Sequence, residues 1–539
     1  MNALHTATVA VLLSAPWMAA GQETAKTPPA KSAASAAKTL SQNGAKTPIP
    51  PKPNVVGPPK VTPPTRVLDQ RRTPPDLNGP KPPIKEPPIK AYPPGQLVSH
   101  ARDGSMIARR ADGKVADLHV PGRDMEIHHN LTGVRRVEVE RADHSRIVAE
   151  HGHFGYVERP YFYRGREYAH RTYYFRGRAY ERFYARYEYH HVYVAMYTPV
   201  VYYHPAFYVW VYSPWAAPVP YAWGWAGAPW YGYYGVYYAP YPIYPNPSVW
   251  LTDYIISASL ADSYQASIAA GVTPPPPPAD AMALSPQVKD LVAAEVQRQL
   301  AIENAEAQTA AQNAPPDPEL SGIQALLYDG QQHVFIASRD LDVVDAGGGE
   351  CAISEGDALK LIEPPPADAA EASLIVLWSK GNPECHKGSF VSVNIADLQD
   401  MENHLRETID QGLGELQSGR AAGLPPMPAP AAATPVAARF AADAPKPEPN
   451  AGAEIAQQVQ AADAAERDAA AAGPPQPPPP VVGQNSAAPP TIDLMGKSMD
   501  EVRALYGPPL TTFESPTKTV YVYQNVKVTF NNGKVTNID

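Results

Sequence analysis

Proline sets the outer limits of what this chain can fold into. Its 64 prolines fall in blocks, at about 27–94, 274–278, 364–366 and 425–490. A residue with no N–H and a fixed φ sits neither in a helix interior nor in a central strand. The blocks predict linkers, leaving roughly 300 residues to build folded modules. Runs such as Pro48-Ile49-Pro50-Pro51-Lys52-Pro53 favour polyproline II, which is extended and has no internal hydrogen bonds. Residues 22–94 are therefore expected to be a disordered Lys/Pro-rich linker. At ~3.1 Å per residue it can reach on the order of 200 Å.

The residues before that linker set the expected compartment. Ala7 to Trp17 are almost wholly apolar, and Ala19-Ala20-Gly21 follow with small side chains. This predicts a signal peptide over 1–21 and an exported chain, placed in the periplasm, at the outer membrane or outside the cell. The apolar stretch 192–245 is interrupted by Pro199, Pro205, Pro214, Pro218, Pro220 and Pro229. No transmembrane helix is expected in the mature chain. The two cysteines, Cys351 and Cys385, lie in one β-rich segment. In an oxidising compartment such a pair predicts a structural disulfide, contributing ~3–4 kcal/mol. Free buried thiols and a redox pair are the alternatives, although the spacing is unlike C-x-x-C.

Charge is segregated along the chain. Residues 24–94 hold 12 lysines and arginines against three acids, a net of +9. Residues 95–191 hold 17 against 13, and residues 192–539 hold 16 against 37. A basic arm on an acidic body predicts contact with an anionic surface. In an envelope that surface is phospholipid, lipopolysaccharide or wall polymer, and nucleic acid is not an expected partner.

The remaining sequence divides by composition. Residues 95–191 read as a β-hairpin-rich Arg/Tyr module, with turn signals at Asp103-Gly104 and Asp112-Gly113. Tyr161-Phe162-Tyr163-Arg164-Gly165-Arg166-Glu167-Tyr168 recurs twelve residues on as Tyr173-Tyr174-Phe175-Arg176-Gly177-Arg178-Ala179-Tyr180, which predicts repeated hairpins. Residues 192–247 are rich in Tyr, Trp, Pro and Gly. Between 156 and 244 lie 24 of the 31 tyrosines and five of the eight tryptophans. With few aliphatic residues between them, they suit an interface more than an interior.

A helical segment is expected over 248–313, with helices at Trp250–Ala270 and from Ser285-Pro286 onward. Residues 323–417 predict five or six short strands in a small SH3-like β-barrel, closed by a helix over about Ala396–Leu416. Residues 418–490 are expected to be a disordered Ala/Pro-rich linker with room for an Ala-rich helix at 451–470. The fold class expected is multi-module and mainly β with accessory helices, joined by disordered Pro-rich linkers.

The last unit, 491–539, reads as α+β. Ser498 caps a short helix that ends at Gly507-Pro508, and a three-stranded meander follows, turning at Asn532-Gly533. Val502 and Leu505 are placed to cover the sheet. The run Gly496-Lys497-Ser498-Met499-Asp500-Glu501-Val502, with Gly507-Pro508-Pro509 and Tyr521-Val522-Tyr523, resembles the SmpA/OmlA (BamE-like) family. Members are often small outer-membrane lipoproteins that support assembly of β-barrel proteins. The resemblance implies that fold, an envelope address and outer-membrane proteins as partners; it covers under a tenth of the chain and lacks the lipoprotein cysteine. The whole layout also resembles uncharacterised secreted proteins of environmental Gram-negative bacteria.

The chain carries none of the G-x-S-x-G, H-E-x-x-H, Walker or G-x-G-x-x-G motifs. Gly347-Gly348-Gly349 reads as a turn. Eleven of the 15 histidines fall between 100 and 204. His151-Gly152-His153 places two rings on one strand face, but exposed strand residues explain them better than a metal site, so no metal or cofactor is expected. Aromatic rings stack on sugars and arginine grips anions. Tyr173, Tyr174, Arg176 and Arg178 are therefore the candidate surface for a polysaccharide or lipid headgroup. The expected function is a non-catalytic structural or interaction protein of the envelope. The alternatives are an accessory to outer-membrane protein assembly, and an enzyme with an unfamiliar site around His333, Asp340 and Glu350.

Overall fold

The computed structural model describes residues 96–538 except 102, 154, 176–177, 190–191, 270–282, 311–315, 368, 381–384, 472–493, 507–508, 510, 515–517, 524–525 and 532. The expected signal peptide and N-terminal linker lie outside the described residues. So do Arg176, His190-His191 and the proline run 274–278.

Short alternating runs broken by Asp-Gly turns build a ten-stranded antiparallel sheet in simple sequence order. Its strands are β1 (Leu97–His100), β2 (Met106–Arg109), β3 (Val115–Val120), β4 (Met125–His129), β5 (Arg135–Glu140), β6 (Arg146–Glu150), β7 (Tyr156–Tyr163), β8 (Arg166–Phe175), β9 (Arg178–Tyr189) and β10 (Val192–Tyr197). Gly104 and Gly113 take φ of 88° and 86° in their turns. Asp103 and Asp112 accept from the backbone N–H two residues on, each at 3.0 Å, the Asx arrangement that favours such turns. On one face Ile107, Leu118, Met125, Ile127, Val137, Val139, Ile147 and Val157 form an apolar stripe.

That stripe is covered by a segment expected to be linker. Residues 451–471 fold as a helix whose Ala451, Ala462 and Ala469 pack on the stripe. Alanine keeps the helix close to the sheet, and arginines at the sheet surface hold its acids. Arg135 reaches Asp463 at 2.5 Å and Glu466 at 3.1 Å, Arg141 pairs with Glu448 at 2.9 Å and with Glu454, and His129 meets Glu466 at 2.9 Å. Low complexity in 418–471 therefore marks a covering segment.

The helices are α1 (Pro205–Tyr212), α2 (Pro229–Tyr234), α3 (Pro247–Ala269), α4 (Pro286–Ala310), α5 (Pro318–Ser321), α6 (Ile323–Tyr328), α7 (Ile395–Gln417), α8 (Ala451–Ala471) and α9 (Met499–Tyr506). Among the described residues none is long and apolar enough to cross a membrane. They are more than accessory. α7 packs on β10, α3, α4 and α6 and so joins three parts of the fold.

The aromatic region 192–247, expected to suit an interface, contributes from Tyr202 onward to a buried core instead. Tyr202, Phe207, Tyr208, Trp223, Trp225, Trp230, Tyr238, Tyr244 and Trp250 are all buried, together with aliphatic residues of α3, α4 and α7. The aliphatic partners missing from the local sequence arrive from helices far along the chain. The two-residue strand β11 (Val201–Tyr202) pairs with Val436–Ala437.

The second sheet has six short antiparallel strands in the order β12-β15-β16-β17-β13-β14. These are β12 (Val334–Ile336), β13 (Leu341–Asp345), β14 (Glu350–Ile353), β15 (Ala358–Leu361), β16 (Glu371–Trp378) and β17 (Phe390–Asn394). Cys351 of β14 is disulfide-bonded to Cys385, 34 residues on. This sheet meets the turns after β2 and β4 of the large one through Arg110–Asp342 at 2.6 Å and Thr132–Asp340 at 2.6 Å.

The C-terminal unit opens with a capping box. The Glu501 carboxylate accepts from the Ser498 N–H at 2.7 Å, and the Glu501 N–H donates to the Ser498 hydroxyl at 3.4 Å. Four strands follow α9 where three were expected, because Thr511–Glu514 pairs along Lys518–Val522. Val502 is buried beneath them, whereas Leu505 is 48% exposed.

Gly152, between β6 and β7, has φ of 94°, and a Cβ there would collide with the carbonyl oxygen of Ala266 in α3. Gly113 shares the positive φ but faces open space. Gly152→Ala is expected to lower unfolding stability by at least about 2 kcal/mol and Gly113→Ala by about 1 kcal/mol, measured by urea denaturation. Equal losses at the two positions would refute the tight approach of α3 to this turn.

Candidate functional site

Of the four residues proposed from sequence to face a polymer, two are engaged within the fold. Tyr173 lies in β8 with its ring 4.9 Å from that of Tyr156 and its hydroxyl 3.3 Å from that of Tyr184. Tyr174 donates its hydroxyl to the Glu448 carbonyl at 2.9 Å. Arg178 opens β9 opposite Phe175, and Arg176 is outside the described residues.

Between these tyrosines lies a stack of alternating charge. The Arg171 guanidinium sits 4.1 Å from the Tyr184 ring centroid and 5.1 Å from that of Tyr156. It reaches Glu158 at 2.7 Å, and Arg146 reaches the same carboxylate at 2.6 Å. Burial opposes ionisation of Glu158, but the two guanidinium ions outweigh it and hold the acid well below the usual carboxylate range. The arginine excess of this module is thus largely matched by acids of the same fold.

Further into the protein, tyrosine hydroxyls meet carboxylates of α4 and α7. Tyr208 donates to Glu303 at 2.6 Å, Tyr184 to Glu407 at 2.5 Å and Tyr197 to Asp410 at 2.7 Å. Glu306 is shared by Arg406 at 2.6 Å and Tyr202 at 3.4 Å. A second knot centres on Asp253, which accepts from Tyr244 at 2.7 Å and pairs with Lys289 at 2.5 Å. Tyr244 in turn accepts from the Trp223 indole N–H at 2.8 Å. Burial raises Tyr197, Tyr202, Tyr208 and Tyr238 far above the ordinary phenol range, and neighbouring carboxylates add to it.

Among the described residues, those weighed for an enzyme site share no partner. His333 is buried between Asp329 at 2.8 Å and Arg298 at 2.6 Å. Asp340 accepts from Thr132 and from the Glu355 N–H, while Glu350 accepts from Gln96. Among the described residues, no group of three or more His, Cys, Asp or Glu side chains is placed to hold a metal ion. A buried cavity of about 20 Å³ lies between α3, α4 and the second sheet, lined by Ile256, Val292 and Trp378 among others. It has room for about one water.

Sequence reasoning missed the acids of α4 and α7, because Glu303, Glu402 and Asp410 look like ordinary solvent-facing helix residues. The one available signal was the number of tyrosines needing hydroxyl partners. No protein-family model, no curated protein and no solved structure matches the chain.

The buried acids make stability depend on pH. Burial pushes Glu402 up to about 8, with Glu295 adding to it, and pushes Asp262 up to about 7. Asp410 rises to about 6, also by burial. Each folded value lies above its unfolded one, so the stabilisation is complete below the unfolded pKa. It is lost as pH rises through the folded pKa. Burial pushes His404 down to about 4, which acts below this window. Unfolding stability is expected to fall by on the order of 2–3 kcal/mol between pH 6.5 and 8.5, read from urea midpoints. Glu402→Gln should remove much of that slope. A flat or rising profile would contradict the burial of these acids.

Proposed function

We propose that the protein is an exported, non-catalytic component of a bacterial cell envelope, held at an anionic surface by its basic N-terminal arm. The observation that carries this is where the positive charge is spent. In the folded body Arg110, Arg135, Arg136, Arg141, Arg146, Arg171 and Arg186 each pair with an acid of the same chain. The arm of residues 24–94 has 12 basic residues and only three acids to match them. An external anion therefore has most to gain from the arm. The Cys351–Cys385 disulfide supports an oxidising compartment, as does the apolar leader. The six-stranded unit, with its short strands and terminal helix, is proposed to be of SH3-like type.

A second role, support of outer-membrane protein assembly, is favoured by one feature. The capped helix Met499–Tyr506 followed by an antiparallel sheet fits an SmpA/OmlA-like unit. Deleting 491–539 should then disturb outer-membrane protein levels, and unchanged levels would reject this role.

For the arm, the mature chain is expected to co-sediment with anionic phospholipid vesicles at low salt and to be released at about 0.5 M salt. Replacing the nine lysines of residues 24–94 by glutamine should leave it in the supernatant. Sedimentation unchanged by that replacement, or a wild-type chain that stays in solution at low salt, would overturn the proposal.

A further inference from the structure

We infer that Tyr244 is a redox-active tyrosine, the end point of a column of stacked rings through which the protein quenches one-electron oxidants of the peroxyl-radical class. This activity is independent of the charge-driven attachment proposed above. Four rings form the column within the aromatic core. Trp225 stacks on Trp223 with centroids 5.2 Å apart, Trp223 on Trp250 at 5.3 Å, and Trp250 on Tyr254 at 5.3 Å. The interplanar angles are 23°, 10° and 29°, so neighbouring π faces lie against one another along its length. The three tryptophans are buried. The column reaches a half-buried tyrosine at each end, Tyr254 at one and Tyr231, 4.7 Å from Trp225, at the other.

One detail favours electron transfer over packing. The Trp225 indole nitrogen is buried and has no hydrogen-bond partner among the described residues. A buried unpaired N–H costs about 1–3 kcal/mol, which a phenyl ring at the same place in the stack would avoid. What indole adds over phenyl is an electron-rich ring that gives up an electron more readily.

A proton path branches from the middle of the column. The Trp223 indole N–H donates to the Tyr244 hydroxyl at 2.8 Å, and that hydroxyl donates to an Asp253 carboxylate oxygen at 2.7 Å. Tyr244 and Asp253 are both fully buried. A phenol that loses an electron becomes a strong acid, and a carboxylate at this distance is placed to take its proton. Asp253 is anchored for that role by the Tyr241 N–H at 2.5 Å and by Lys289 at 2.5 Å. The Trp223 N–H, still aimed at the Tyr244 oxygen, stabilises the phenoxyl radical that results.

A peroxyl radical first removes the hydroxyl hydrogen atom of Tyr254, leaving a hydroperoxide and a phenoxyl radical. An electron moves from Trp250 to that radical, which takes a proton from solvent and becomes phenol again. Trp223 refills Trp250. Tyr244 then refills Trp223 as its O–H bond breaks and the proton bonds to Asp253. One peroxyl radical and one solvent proton are consumed and one hydroperoxide is formed. The chain is left with a Tyr244 phenoxyl radical and a neutral Asp253.

The test is electron paramagnetic resonance of the full mature chain, freeze-quenched during exposure to peroxyl radicals from a water-soluble azo initiator in air. The expected spectrum is a tyrosyl radical with a single narrow g component, because one fixed hydrogen-bonded site holds it. Tyr244→Phe should abolish that signal. Asp253→Asn combined with Lys289→Gln removes both members of the charge pair and should slow its formation about a hundredfold, the scale of a lost proton acceptor. Thermal midpoints and circular dichroism establish that each variant is folded, and the wild-type spectrum decides the matter without any variant. No radical, a persisting indole signal, or the broad g distribution of solvent-exposed phenoxyls in the wild-type chain would each overturn the inference. So would a narrow signal that survives in folded Tyr244→Phe, or one that forms at the wild-type rate without Asp253.

Discussion

The fold depends on hydrogen bonds between buried tyrosine hydroxyls and carboxylates of two helices. A tyrosine ring brings a large apolar area to a core, but its hydroxyl is costly there without a partner. Residues 197–244 bring many such rings at once. α4 and α7 answer with Glu303 and Glu306, both buried, and Glu407 and Asp410, both half-buried, each taking a phenol. The dependence runs both ways, since a buried carboxylate without those donors would be penalised as heavily. Neither the aromatic segment nor the two helices has a reason to be ordered alone. Their joint ordering places α7 at the centre, with β10 on one side and the second sheet on another.

This explains why some parts of the fold were legible in the sequence and others were not. Local signals worked where local chemistry decides. Asp103-Gly104 and Asp112-Gly113 made turns, Ser285-Pro286 opened α4, and α7 spans Ile395–Gln417 against an expected Ala396–Leu416. Partnership across long stretches of sequence was not legible. Nothing near Tyr208 announces that Glu303 will meet it, and nothing in the alanine-rich 451–471 names the stripe it covers. Leu505 was expected to face inward from its spacing alone, yet the short helix α9 turns only Val502 toward the sheet.

The candidate site shows the same division. Tyr, Trp and Arg enrichment pointed to the second copy of the repeat, where Tyr173 and Tyr174 are engaged within the fold. Charge follows a parallel logic. The body's arginines hold its own covering helix in place, and the excess positive charge is carried by the arm ahead of the sheet.

The most direct test of the central claim is a spectrophotometric titration of the 31 tyrosines with far-UV circular dichroism followed in parallel. Burial raises even Tyr168, at the sheet, to about 12, and the core tyrosines higher. Most phenols should therefore stay protonated well past pH 10 and ionise together, in one step coincident with loss of secondary structure. Gradual ionisation of nearly all of them near pH 10, with the dichroism unchanged, would contradict a core built on tyrosine–carboxylate bonds.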